Sequence, residues 1–161
     1  MHSQFSVAWG ISRGRFVDTI SDLSDEQMRW RSQPGALTIG EAALHVAGVE
    51  TMFISQLLDL QLTPEQTRIK LCAVDGAVNS NPFPFKLEEI TTKLALEALE
   101  MSKAMTEPVI THPTEEVLRK EIISALGPII TGEGALGRLS FHAGYHQGQA
   151  YLQRNAPGFP K

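Results

Sequence analysis

The chain has 161 residues, 42% of them apolar and 20% charged, with a net charge of −4 and a pI of about 5.7. That length allows one domain, residues 1–161, with a real core, and the composition excludes a disordered chain. No Lys/Arg run stands out, which argues against nucleic acid as a partner, and a single cysteine, Cys72, rules out both an internal disulfide and a cysteine-rich zinc site.

Helical periodicity starts at once. Phe5, Trp9, Ser12, Phe16, Ile20 and Leu23 recur at spacings of four and three, which predicts a first helix from about Ser3 to Asp22. The N-terminal stretch MHSQFSVAWGISRGRF has no apolar signal core, and no apolar run is long enough to span a bilayer. With the lone cysteine, this leads to the expectation of a soluble cytoplasmic protein. A connector, SDEQMRWRSQPGAL, with Pro34-Gly35 as its punctuation, follows the first helix.

The second helix starts at Thr38, where TIGE reads as a capping box with Glu41 reaching back, and should run to about Leu60. Ala42, Val46, Val49, Phe53, Leu57 and Leu60 mark its apolar side. Residues 61–86 form a long link broken by Pro64, Asp75-Gly76, Pro82 and Pro84, with a short helical turn expected near Pro64 to Lys70. A link of that length crosses over a bundle or shapes a site.

The third helix is expected from about Lys86 to Thr106, ended by Glu107-Pro108. Residues 114–131 fit a short helix, a strand pair or an irregular link equally well. The fourth helix spans about Gly132 to Asn155, with Pro157-Gly158 as its stop. The fold expected is all-α, a four-helix bundle with a long connection between helices two and three.

Of five histidines, His2 and His112 read as solvated. His142 and His146 are four apart, about 40° around a helix, on a face shared with Leu139, Ala143 and Ala150. His45 shares a face with Val49, Met52 and Gln56. All three should point inward. A buried imidazole without a partner costs roughly 1–3 kcal/mol, so each could be a satisfied core histidine. If helix two packs near helix four, however, one divalent cation could take one nitrogen from each. Three protein ligands would leave a position open for water or substrate, a pattern that suits Zn²⁺, Ni²⁺, Fe²⁺ or Mn²⁺.

The stretches "LTIGEAALHVAGVETMF" and "LGRLSFHAGYHQGQAYLQRNAPG" carry a resemblance to a family. So does the Trp after the first helix in "MRWRSQPGALTIGE". The chain resembles the DinB-like (DinB/YfiT-type) four-helix-bundle proteins, which include metal-dependent hydrolases and thiol S-transferases. The resemblance implies His45, His142 and His146 as ligands of a divalent metal, zinc or nickel. It also implies a small-molecule substrate, a low-molecular-weight thiol as co-substrate, and a homodimer.

Other residues divide between plain and functional readings. Gln149, one turn past His146, could orient a bound water, support a ligand from behind, or make a helix–helix hydrogen bond. Glu50 lies about 140° from His45 on the helical wheel, so a salt bridge or a contact behind the ligands fits better than a general base. Gly137, Phe141, Gly144, Gly148 and Leu152 form a second stripe on the fourth helix, away from the histidines, that reads as tight packing or a dimer surface. Trp9, Trp30 and the methionines read as core, and Cys72 as unreactive. Two functional classes stand open: a metal-dependent thiol transferase or hydrolase, and a non-catalytic stress-related bundle that binds a metal or small ligand.

Overall fold

The computed structural model describes residues 3–161, so His2 lies outside the described residues. Four long helices form the frame: α1 (Gln4–Ile20), α3 (Ile39–Leu57), α5 (Thr92–Thr111) and α7 (Gly132–Arg154). Shorter elements fill the connections: α2 (Asp25–Arg29), α4 (Pro64–Leu71), a 3-10 turn at Leu87–Glu89, α6 (Glu115–Arg119) and the strands β1 (Glu121–Ile123) and β2 (Ile129–Thr131). The expected bundle is present, with one small hairpin added.

Each helix starts where the chain supplies an acceptor for its free N–H groups. Ser3 caps α1 by accepting from the Ser6 amide. The predicted capping box of α3 forms, with Thr38 N–H on Glu41 Oε2 at 2.7 Å and Glu41 N–H on Thr38 Oγ1 at 3.1 Å. Two more capping boxes, Ser24/Gln27 and Thr63/Gln66, start α2 and α4. The connector after the first helix therefore contains a helix that the sequence reading left irregular, whereas the turn expected near Pro64 is there.

Three boundaries differ from expectation. α3 stops at Leu57 rather than Leu60, because Asp59 takes a left-handed φ of 51°. α5 starts at Thr92, capped by Thr91, and the residues before it form the 3-10 turn. It also passes through Pro108 to Thr111. Proline so near the end of a helix forfeits little of the ladder, so it does not stop the helix there. Residues 114–131 hold both a short helix and a strand pair. The pair is antiparallel, with Ile122 opposite Ile130.

In the bundle α1 packs on α7 and α5, and α3 packs on α5 and α7, closing a ring of four. α3 is the central member. Every one of its residues except Met52 and Gln56 is buried. A helix buried around nearly its whole circumference needs cover on all sides. α2 and α4 pack on α3 and provide part of that cover. The long link thus has a physical reason: it closes the outward side of α3. Gly48 makes this possible. A Cβ there would lie 2.6 Å from the Ile69 carbonyl oxygen and 2.7 Å from the Ala73 nitrogen.

Candidate metal centre

α3 brings His45, and α7 brings His142 and His146, to one place. The three ring centroids lie 4.7–5.0 Å apart in every pair. One nitrogen from each falls within 4.8 Å of the others. His45 and His146 are 7% and 5% exposed, so neither ring can rely on bulk water for its hydrogen bonds.

Outward partners fix which nitrogen points inward. His45 Nδ1–H donates to the Cys72 carbonyl at 2.9 Å, which leaves its Nε2 lone pair free. His146 Nδ1–H donates to Gln149 Oε1 at 2.8 Å, with the same result. These are the carbonyl and side-chain acceptors that orient metal-binding imidazoles. His142 Nδ1 is buried without a hydrogen-bond partner. Its Nε2 lies 3.2 Å from His146 Nε2. Two zinc–nitrogen bonds at a tetrahedral angle set their nitrogens about 3.3 Å apart. The donor set and this spacing fit a divalent cation. Without one, the lone pair on His146 Nε2 faces either a second lone pair or an N–H whose ring leaves Nδ1 as a buried, unpaired acceptor.

Burial keeps all three rings neutral, the form that binds a metal. It lowers His45, against the opposing hydrogen bond to Cys72. It lowers His142 to about 2, with His146 and His45 adding to the effect. His146 falls to about 4 through burial and the neighbouring His45, with the Gln149 hydrogen bond opposing.

The histidines form part of the wall of a cavity of about 960 Å³. Val49, Phe53, Phe141 and Leu152 supply apolar wall, and Tyr145, Gln149 and Gln153 supply polar groups. No Asp or Glu is among the described residues that line it. Arg138 is the one Lys or Arg among those described lining residues. Phe141 and Leu152 belonged to a stripe expected to lie away from the histidines, and instead they share their cavity. Gly144 of that stripe packs inside the molecule, where its Cβ would meet Ser12 Cβ at 3.2 Å.

Gln149 sits beside His146, as its spacing suggested. Glu50 takes the salt-bridge reading. Its carboxylate accepts from Trp9 Nε1 at 2.8 Å and from Ser102 Oγ, and pairs with Arg13 Nε at 3.4 Å. Burial pushes the Glu50 carboxyl above its ordinary value, against Arg13, Ser102 and Trp9. None of these partners is a histidine. Cys72 is buried and its thiol is pushed up to about 12, mainly by burial, so its contribution is the carbonyl and not the sulfur. His112 is exposed at the C-cap of α5.

Sequence reasoning missed three positions. The Cys72 carbonyl carries no side-chain signal. Gly48 could be noticed only as a small residue one turn from His45. Arg138 had a signal, being four residues before His142 on the same helix.

A family model described as the DinB superfamily matches residues 8–150, which include all three histidines. A crystal structure of a conserved protein from Enterococcus faecalis superposes with a TM-score of 0.67 at 22% identity, over 93% of each chain. At that identity the likeness concerns the fold. The comparison with curated proteins gives no match.

Proposed function

The chain belongs to the DinB superfamily, and from that premise we propose a metal-dependent enzyme in which His45, His142 and His146 hold one divalent ion, zinc or nickel, facing a small-molecule substrate. The observation that carries the proposal is the pairing of two outward-satisfied Nδ1 atoms with inward Nε2 atoms on the wall of a large cavity. An ion so held supplies Lewis acidity, lowering the pKa of a thiol or water at its open position.

The chain's own residues favour thiol transfer over hydrolysis. A hydrolase that relies on a carboxylate general base would carry one in the cavity wall, and none lines it among the described residues, so hydrolysis there would rest on metal-bound water alone. Thiol transfer asks less of the protein. Cys72 and Gln149 hold His45 and His146 in the tautomer that turns Nε2 inward, and the wall beside them is mostly apolar. A low-molecular-weight thiol is the co-substrate in this reading. The apolar wall also suits a second reading, a bundle that holds a metal or ligand without turning it over. Turnover of a thiol with an electrophile separates the two.

The proposal extends to one domain over residues 1–161, a homodimer and a cytoplasmic location. Val7 and Ile11, one turn apart on α1, leave an exposed apolar spot that self-association would cover. No helix among the described residues is long and apolar enough to cross a membrane.

The deciding experiment is elemental analysis of freshly purified wild type beside His146→Ala. About one equivalent of one metal in wild type, lost in the variant, is the expected outcome. Wild type that neither contains a metal nor takes up Zn²⁺ or Ni²⁺ sinks the metalloenzyme reading.

A further inference from the structure

Among the described residues that line it, the cavity carries one formal charge, and no described residue pairs with that charge. Arg138 lines the wall from α7, one turn before His142. Arg13, Arg29, Arg31, Arg68, Arg119 and Arg154 each pair with a carboxylate. Arg15 is exposed on α1. Arg138 is half-buried and has no hydrogen-bond or ion-pair partner among the described residues. A cation drawn partly out of water without a counter-charge is unfavourable until an anion arrives.

The shape of the cavity says where that anion would sit. Its lining on α7 runs from Arg138 to Gln153, about 22 Å at 1.5 Å per residue. Ala125 and Leu126 of the hairpin also belong to the lining, as do Leu37 and its neighbours before α3. Leu37 lies at the Gln153 end, where its carbonyl accepts from Gln153 Nε2 at 3.0 Å. His142 and His146 fall between these limits of α7. The result is a long, mostly apolar groove with a cation toward one end and the three imidazoles nearer the middle.

We infer that Arg138 anchors a carboxylate of the substrate, one helical turn from the histidines. The planar guanidinium fork matches a carboxylate in two parallel hydrogen bonds. A phosphate monoester carries close to two charges at neutral pH, and no second Lys or Arg lines the cavity among the described residues. One cation therefore suits a singly charged group. Cβ atoms four apart on a helix are about 5–6 Å from one another, so the carboxylate and the reacting group are separated by several bonds. The substrate class is an elongated apolar molecule with a terminal carboxylate. This inference rests on reading the cavity as the substrate site of the three-histidine centre.

The test is calorimetric titration with phenylbutyrate, its neutral amide and phenylbutylphosphonate. Wild type, Arg138→Gln and Arg138→Lys are each titrated with metal and after stripping by a chelator. Wild type should prefer the acid to the amide by about tenfold or more, with or without metal. Arg138→Gln should lose that preference and Arg138→Lys should keep part of it. Equal affinity for acid and amide in wild type, including binding of neither, overturns the inference. So does a preference that survives in Arg138→Gln, which would place the anion on the metal or elsewhere. Tighter binding of the phosphonate overturns the carboxylate class. Elemental analysis of the same preparations keeps the two readings apart. If wild type proves neither to hold a metal nor to take up Zn²⁺ or Ni²⁺, the metal-centre reading fails, and the acid–amide comparison on that protein still decides Arg138.

Discussion

His146 depends for its orientation on one neutral contact. Gln149 Oε1 accepts from Nδ1 and so keeps the lone pair on the nitrogen that faces His142. Gln149→Ala removes the acceptor and lets the ring take its other tautomer. The expected result is metal affinity about 10–100-fold weaker, read by competition with a chelator, with little change in the melting temperature of the metal-free chain. An unchanged affinity would mean that Gln149 only fills space. Glu50 makes the contrasting case. It is two positions past Gly48 on the helix that carries His45, yet its oxygens serve Arg13, Trp9 and Ser102. Its acidity belongs to the joint between α1, α3 and α5 and not to the cavity.

The α3–α4 joint decides whether His45 is held at all. The end of α4 lies flush on α3 because Gly48 has no side chain, and this contact brings the Cys72 carbonyl to His45 Nδ1. Gly48→Ala puts a methyl group onto the Ile69 and Ala73 backbone. That should cost roughly 1–3 kcal/mol in urea unfolding of the metal-free chain and weaken metal affinity as well. A loss of stability with affinity unchanged would separate the joint from the site. At this scale the sequence was legible where the signal is local. Thr38 with Glu41, and His142 with His146, are short-range patterns that a helix turns directly into geometry. Ser24/Gln27 is the same kind of signal and was overlooked beside Pro34-Gly35. Pro108 misled because a helix breaker matters less in the last turn. The Cys72 carbonyl could not be read, since its role depends on how a long link folds back across α3. The unpaired state of Arg138 depends in the same way on which carboxylates the fold leaves out of reach.

In the molecule as a whole, the three buried imidazoles make stability depend on pH. Burial holds His45, His142 and His146 below the ordinary value of 6.5. The unfolded chain then binds more protons than the folded chain as pH drops. The stabilisation they give is fully present above about 6.5. It is lost on the way down, through about 4 for His146. Glu50 acts in the opposite sense, since burial raises it and its contribution fades as pH rises. His146→Ala should therefore flatten the fall in stability of metal-free protein between about pH 6.5 and pH 4, measured by urea unfolding at stepped pH. An unchanged slope would mean that His146 is not buried neutral in solution.

α7 leaves the hairpin without a spacer: Thr131 ends β2 and caps the helix, and the Gly132 amide donates to the Lys120 carbonyl at 2.7 Å. The last long helix is thus rooted in a strand pair that must itself be formed. Two of the three imidazoles ride on it, and the third sits on α3, in an early part of the chain. No fragment short of the finished topology can assemble the set. An ion bound by these three residues would act as a latch on a completed chain, lengthening the lifetime of the folded molecule while leaving the speed at which it forms unchanged.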